Sequence, residues 1–134
     1  MEIGAGNGLW ARFLFDVGVD IIATDNYSWN GSGKMLTKMN FAKFFQVEQL
    51  DSFDAVQRYA PDVLMFVWPP LKNNMASRAL QTFKGNKVIY VGEFNGCTGD
   101  DDLHDILCGW NESEHIQIPQ WDGLHDCLMF FERQ

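Results

Sequence analysis

Glycines and acidic residues near the start of the chain have the types and spacing that a nucleotide-like ligand requires. Residues 2–8 read E-I-G-A-G-N-G, and the run V-D-I-I-A-T-D ends at Asp25. Glycines allow the backbone to approach a ligand closely, and a helix that follows them would point its free N–H groups at that ligand. A carboxylate at the end of a second strand can accept hydrogen bonds from both hydroxyls of a ribose. These residues predict a nucleoside-containing cofactor at the carboxyl ends of a parallel sheet.

The spacing of the glycines distinguishes between classes of cofactor. Dinucleotide-binding folds use G-x-G-x-x-G, whereas this chain has G-x-G-x-G at Gly4, Gly6 and Gly8. The strand-end carboxylate, Glu2, serves a pyrophosphate poorly but suits a cation that carries an amino-acid group. The pattern resembles the first motif of the class I S-adenosylmethionine-dependent methyltransferases. The alternative is an ordinary tight turn whose glycines serve packing only.

The resemblance implies a role for each matching residue. In that family the acidic residue before the glycines lies near the methionine moiety of S-adenosylmethionine, and the glycine loop passes under the cofactor. The acidic residue after the second strand holds the ribose, and a residue just after the third strand often contacts the adenine. The cofactor-binding residues that this implies, including the end of the fourth strand, are Glu2, Gly4, Ala5, Gly6, Asn7, Gly8, Asp25, Asn26, Leu50, Trp68 and Pro69.

Trp68-Pro69-Pro70 ends the predicted fourth strand, where the family binds its methyl acceptor. It resembles the D/N/S-P-P-Y motif of methyltransferases that act on amino nitrogens, but Trp68 replaces the polar residue and Leu71 replaces the aromatic one. These departures argue against methylation of a base amino group, while Trp68 could still stack on a planar or cationic acceptor. The open alternative is a proline stop to a buried strand, with Trp68 in the core.

Three residues at predicted strand ends are candidates for catalysis: Trp68, Glu93 and His125. Methyl transfer from a sulfonium depends mainly on positioning and on exclusion of water, and a general base helps only where the acceptor carries a proton. Glu93 could equally cap the loop that follows it, and His125 could belong to a simple connection between strands.

Alternating strand and helix signals predict one α/β domain over residues 1–134, with a Rossmann-like, doubly wound, mostly parallel sheet. Helices are expected after the glycine loop, from a cap at Ser52, from Asn73 or Asn74, and over the stretch that contains Leu103, Ile106, Leu107 and Trp110. The last two strands alternate in polarity, which predicts antiparallel pairing. The methyltransferase fold is similar in ending with two strands, the last inserted antiparallel. The predicted strands after the first are residues 19–24, 45–48, 62–68, 87–92, 114–118 and 127–132.

The first strand is expected to be truncated, because only three residues precede Gly4. The family normally has a helix or more ahead of this strand, helping to cover the cofactor. The expected consequence is an open cofactor site. Two classes of function follow: an active methyltransferase, completed by an oligomer or a partner subunit, or a cofactor-binding relative that has lost turnover.

Four segments resemble a small group of uncharacterised methyltransferase-like proteins more closely than the superfamily as a whole. They read E-I-G-A-G-x-G-x-W-A-R, W-P-P, V-G-E-x-x-G-C-T-G-D and G-x-H-D, at residues 2–12, 68–70, 91–100 and 123–126. This resemblance implies no particular substrate.

Composition excludes several classes of function. Eighteen acidic and ten basic residues give a formal charge of −8, so nucleic acid is an unlikely partner and a small-molecule acceptor is expected. No apolar run approaches the ~20 residues of a membrane span. The odd, unpatterned set Cys97, Cys108 and Cys127 indicates reduced thiols and a cytoplasmic protein. His104, Cys108, His125 and Cys127 lack the spacing of a metal site, so no metal is expected.

Overall fold

The computed structural model describes residues 1–28 and 42–134. Strands and helices alternate through most of the chain, as the sequence predicts. The elements are β1 (Glu2–Ile3), α1 (Leu9–Asp16), β2 (Ala23–Asp25), β3 (Val47–Gln49), α2 (Ser52–Tyr59), β4 (Val63–Val67), α3 (Met75–Thr82), β5 (Lys87–Gly92), α4 (Asp101–Cys108), β6 (Asn111–Gln117) and β7 (Cys127–Glu132).

The strands form one seven-stranded sheet in the order β3-β2-β1-β4-β5-β7-β6. The strands β3, β2, β1, β4 and β5 run parallel to one another. The strand β7 runs antiparallel between β5 and β6. The predicted mostly parallel α/β sheet with antiparallel strands at its end is confirmed. The strand order reverses between β1 and β4, and ligands of open α/β sheets bind at the carboxyl ends of strands at such a point.

The first two strands are short. β1 has two residues, as predicted, and pairs with β2 and β4 on either side. The prediction of a strand over 19–24 is wrong in extent, since β2 covers only Ala23–Asp25. A ladder extends only as far as both partners supply backbone groups, and β1 offers β2 only Glu2 and Ile3. By contrast, β5 and β7 have the predicted bounds.

The helices divide unequally between the faces of the sheet. α2, α3 and α4 cover one face, and their apolar side chains pack with Leu64, Phe66 and Tyr90 in the larger core cluster. α1 lies on the opposite face, where Ala11 packs against Ala23 in a smaller cluster. In the ranges that the structure describes, this arrangement places three helices on one face and one on the other.

Local side-chain caps fix where the helices begin. The predicted cap at Ser52 is wrong: the Asp51 carboxylate accepts a hydrogen bond from the backbone N–H of Phe53 at 3.0 Å and caps α2. Ser52 instead donates its hydroxyl hydrogen to the carbonyl of Met75, at 2.8 Å. Aspartate and serine are comparable N-caps, so the contact of Ser52 with Met75 decides that Asp51 caps the helix.

No described helix has both the length and the apolar character needed to cross a membrane. Residues 30–33, whose sequence N-G-S-G predicts a loop, lie outside the described ranges.

Candidate functional site

A cavity of about 400 Å³ lies at the carboxyl ends of β1, β2 and β4, beside the point where the strand order reverses. Its size falls in the range of ~300–1,000 Å³ that is usual for small-molecule sites. The described residues that line it are Gly4, Gly6, Asp25, Asn26, Ser28, Trp68, Pro70, Asn73 and Met75.

The glycines of the first loop serve two different purposes. Gly4, Gly6 and Gly8 all have positive φ, at 71°, 57° and 78°, a region that costs other residues roughly 1–2 kcal/mol. A Cβ at Gly8 would lie 2.7 Å from the Cβ of Phe45, whereas a Cβ at Gly6 would have no atom of the described residues within 4 Å. Gly8 therefore permits close packing, while Gly6 leaves backbone open to the cavity. The packing interpretation therefore holds for Gly8, and the cofactor interpretation of the loop stays a prediction.

Asp25 joins the end of β2 to the glycine loop. Its side chain is buried, and its two carboxylate oxygens accept hydrogen bonds from the backbone N–H of Gly6 at 2.8 Å and of Tyr27 at 2.5 Å. A carboxylate oxygen can accept more than one hydrogen bond, so both oxygens keep a lone pair for a ligand. Asp25 is thus a fixed acceptor in the wall of the cavity.

Glu2 lies deeper than the sequence pattern implied. It is 2 % exposed in β1 and is not among the lining residues of the cavity. Burial raises the pKa of Glu2 to about 7, because a low-dielectric site disfavours the charged form. Among the described residues, its Oε2 atom has no hydrogen-bond partner. The structure therefore places an unsatisfied carboxyl group behind the glycine loop rather than beside the cavity.

The charge of the cavity wall is negative. Asp25 is the one charged side chain among the described lining residues, and Trp68 contributes an aromatic side chain to the same lining. Neither lysine nor arginine lines the cavity in this part of the chain. Such a wall attracts cations electrostatically and through the π face of an aromatic ring, and it gives a pyrophosphate no cationic partner.

Trp68 lines the cavity and is 41 % exposed, so the open alternative of a tryptophan buried in the core does not apply. Its backbone N–H donates to the carbonyl of Val91 at 2.7 Å, which extends the β4–β5 ladder by one bond. Its φ is 50°, an unfavourable conformation for a bulky residue. The chain therefore turns out of the sheet at Trp68 itself.

Unfavourable backbone conformations concentrate around this edge of the sheet. Tyr27, Trp68, Lys72 and Asn95 have positive φ and lie in the loops after β2, β4 and β5. Among the described non-glycine residues, Ala60 is the other example, and it ends α2. Conformations of this kind are retained mainly at functional sites, so their clustering supports the assignment of the cavity.

The loop after β5 supports the turn after β4. Gly99 donates its N–H to the carbonyl of Pro69 and accepts from the N–H of Lys72, both at 2.9 Å. Pro69 is buried behind the wall, and Pro70 is the proline that lines the cavity. The predicted strand end is thus held rigidly against residues 93–100.

Glu93 and His125 are brought together, although 32 residues separate them in the chain. Glu93 Oε1 lies 3.0 Å from His125 Nδ1 and accepts from the backbone N–H of His125 at 3.1 Å. Glu93 Oε2 accepts from the N–H of Cys97 at 3.1 Å. Hydrogen bonds from Cys97 and His125 lower the pKa of Glu93 to about 2. Glu93 therefore caps its loop and also holds the connection before β7, but neither it nor His125 lines the cavity.

The remaining predicted cofactor-binding residues occupy supporting positions. Ala5 is buried and donates its N–H to the carbonyl of Thr24, and the carbonyl of Asn7 accepts from Phe44. Leu50 packs against the larger core and does not line the cavity. Asn26 does line the cavity, as predicted for a residue next to Asp25.

Ser28, Asn73 and Met75 line the cavity and were not among the predicted site residues. The Asn73 carbonyl oxygen Oδ1 accepts from the N–H of Met75 at 3.0 Å, a local turn at the start of α3. The sequence offered one signal for it, since N-N follows the paired prolines of the strand end after two intervening residues.

In the described ranges, histidine, cysteine, aspartate and glutamate do not converge in a group of three or more that could hold a metal ion. Cys97, Cys108 and Cys127 are free thiols.

Comparison with known proteins supports the fold. No protein-family model matches the chain, and no curated protein matches it. An uncharacterised protein from Listeria monocytogenes serotype 4b has a similar structure, with a TM-score of 0.57 and 9 % sequence identity. The similarity covers 99 % of this chain, which spans 60 % of the length of that protein. At this identity the likeness establishes a shared fold.

Proposed function

We propose that this protein binds S-adenosylmethionine in the cavity and acts as a class I methyltransferase on a small or planar acceptor. The observation that carries the proposal is the hydrogen bond between Asp25 and the N–H of Gly6. It places the carboxylate that would hold a ribose against the loop that would pass under the cofactor. The sequence resemblance assigned these two roles separately.

The charge of the wall favours this cofactor over a dinucleotide. S-adenosylmethionine carries a sulfonium and an ammonium group, and Asp25 and Trp68 both attract cations. NAD would bring two phosphate charges to a wall whose described side chains include no cation. A lysine or arginine in this wall would instead favour NAD.

The end of the chain agrees with the resemblance. β7 lies antiparallel between β5 and β6, as expected of a methyltransferase fold whose last strand is inserted antiparallel. This topology is a supporting argument because it depends on residues 111–132, which contribute nothing to the first motif.

The proposed acceptor is a small molecule with a planar or cationic part, which Trp68 can stack upon. The formal charge of −8 disfavours a polyanionic acceptor. We further propose that the protein acts in the cytoplasm, since its cysteines are free thiols.

A non-catalytic S-adenosylmethionine-binding protein is the second candidate. The exposure of Trp68, at 41 %, favours it, because a sulfonium beside an exposed ring remains in contact with water and methyl transfer depends on excluding water. A second subunit that covers this wall would restore the first candidate.

Labelled S-adenosylmethionine incubated with pools of small metabolites tests the proposal. We expect label to appear in a low-molecular-weight product, with no transfer to duplex DNA. Bound cofactor without product in any pool would support the non-catalytic candidate. Transfer to DNA that weakens steeply with salt would contradict the proposed acceptor class.

A further inference from the structure

We infer that His125, oriented by Glu93, is the general base of this site, so that the acceptor is one that carries an ionisable O–H or N–H. The inference rests on the proposed function and specifies its substrate class. An acceptor such as a thioether or a pyridine nitrogen loses no proton on methylation and would need no such group.

Two contacts fix the position of the His125 imidazole. Its Nδ1 lies 3.0 Å from Glu93 Oε1, and its own backbone N–H donates to the same oxygen at 3.1 Å. The Glu93 side chain is 16 % exposed, while that of His125 is 80 % exposed. A mostly buried carboxylate therefore holds one edge of an imidazole whose other edge is open.

The chemistry of this contact determines the tautomer of the neutral imidazole. An ionised carboxylate is only an acceptor, so Nδ1 must carry the hydrogen in the Glu93–His125 contact. The lone pair of the neutral ring is then on Nε2. In the described part of the chain Nε2 makes no hydrogen bond, so it is free to accept a proton.

The sheet brings the backbone of His125 to the same edge as that of Trp68. Trp68 and Glu93 follow adjacent strands, because Val67 of β4 pairs with Val91 of β5. His125 precedes β7, whose Cys127 pairs with Gly92 on the other side of β5. Neighbouring strands lie about 5 Å apart, so roughly 10 Å separates the backbone at Trp68 from that at the start of β7. An imidazole and a small acceptor together can span that distance.

The proposed step balances without any further reactant. As the acceptor heteroatom attacks the methyl carbon, the carbon–sulfur bond of the sulfonium breaks and its electron pair stays on sulfur. The O–H or N–H proton passes to His125 Nε2 and then to water. Glu93 is a positioning residue here, since its contact with Nδ1 orients the imidazole. Asp126 and Cys97 are the other titratable groups near the pair, and burial raises the pKa of Asp126.

The chain offers a matched control for this pair. His115 Nδ1 lies 3.0 Å from Glu112 Oε1 in the same kind of contact. That pair lies on β6, the edge strand. Substitutions at Glu112 and His115 therefore reproduce the local change without altering the candidate base.

Nitrogen-15 NMR of the full chain at pH 8 tests the geometry without any ligand. We expect neutral His125 to be protonated mainly at Nδ1, and Glu93→Gln to increase the Nε2-protonated fraction, while Glu112→Gln leaves His125 unchanged. An Nε2-protonated His125 in the unsubstituted protein, or no response to Glu93→Gln, would overturn the inference.

Methyl transfer to two sets of probes tests the function. Phenol and aniline derivatives lose a proton on methylation, whereas pyridine and dimethyl sulfide do not. We expect His125→Gln to slow transfer to the first set by about 100-fold or more, to change transfer to the second set by less than about twofold, and His115→Gln to change neither. An equal loss for both sets would show a structural role and would overturn the inference.

The outcomes separate this inference from the proposed function. Calorimetric binding of S-adenosylmethionine with no transfer to either set would overturn the general base and leave cofactor binding intact. A chain that binds no S-adenosylmethionine would overturn both.

Discussion

The two carboxylates of the first motif lie in contrasting surroundings at the scale of single residues. Asp25 has both oxygens in hydrogen bonds to backbone N–H groups, whereas Glu2 has an unpartnered, buried Oε2. The sequence predicted that both residues bind the cofactor. It could not show which one would face the cavity, because that depends on the direction of a side chain in a two-residue strand.

Replacing Glu2 by Gln should stabilise the protein at high pH. The folded-state pKa of about 7 exceeds the ordinary 4.5, so the folded state holds the proton more tightly than the unfolded chain. Its contribution to stability is complete below pH 4.5 and is lost as the pH rises to about 7. We expect Glu2→Gln to remove this fall and to raise the free energy of unfolding at pH 8 by about 3 kcal/mol, with little change at pH 4. Urea unfolding at the two pH values measures it, and a less stable variant at pH 8 would contradict the burial argument.

Replacing Asp25 by Ala should weaken cofactor binding by about 1.5–3 kcal/mol, the contribution of charge-assisted hydrogen bonds to two hydroxyls. The control is Asp16→Ala, which removes an exposed carboxylate paired with Arg12 on α1. Calorimetry with S-adenosylhomocysteine measures both variants. Equal affinities for the two would refute a role of Asp25 in binding.

At the scale of elements, the glycine loop permits a test that separates folding from binding. Gly6→Ala should cost about 1–2 kcal/mol of stability from its positive φ alone, since its Cβ would meet no atom within 4 Å. Gly8→Ala adds a 2.7 Å contact with Phe45 and should cost about 3 kcal/mol or more. Cofactor affinity should fall more in Gly6→Ala than in Gly8→Ala. The new methyl group at Gly6 would lie on the cavity side of the loop and should weaken binding by about tenfold or more.

Denaturant unfolding and calorimetry on the two glycine variants check this prediction. If Gly6→Ala bound cofactor as well as the unsubstituted protein did, the loop would not pass under the ligand.

The bounds of an element were predicted accurately where they depend only on residues that are close together in the sequence. β5 was predicted with its observed bounds because a continuous apolar run and a terminal glycine are both sequence features. β2 was predicted too long because its extent depends on the length of β1. The contact between Glu93 and His125 could not be predicted, since it forms only when β7 inserts beside β5.

At the scale of the whole molecule, the strand order brings some of the predicted site residues together. Strand and helix patterns in the sequence predicted an α/β sheet with an antiparallel end. The reversal between β1 and β4 explains why Gly4, Gly6, Asp25 and Trp68 line one cavity. The lining by Asn73 and Met75 was not predicted, because it results from packing of α3 against the glycine loop. A Cβ at Gly4 would lie 2.8 Å from Cε of Met75.

The net charge of the protein predicts how it behaves towards duplex DNA. At −8, the protein should show no measurable affinity for duplex DNA at moderate salt, because the protein and the phosphate backbone repel each other. Fluorescence anisotropy with a labelled duplex between 50 and 200 mM salt measures it. Binding that falls steeply over that range would indicate a basic surface and contradict the small-molecule acceptor.

Calorimetry that compares S-adenosylhomocysteine with NAD on the unsubstituted chain tests the central claim most directly. The negative wall around Asp25 and Trp68 and the open backbone at Gly6 predict saturable binding of S-adenosylhomocysteine, with NAD binding at least about tenfold more weakly. Tighter binding of NAD, or no binding of S-adenosylhomocysteine at millimolar concentration, would contradict the assignment of the cavity.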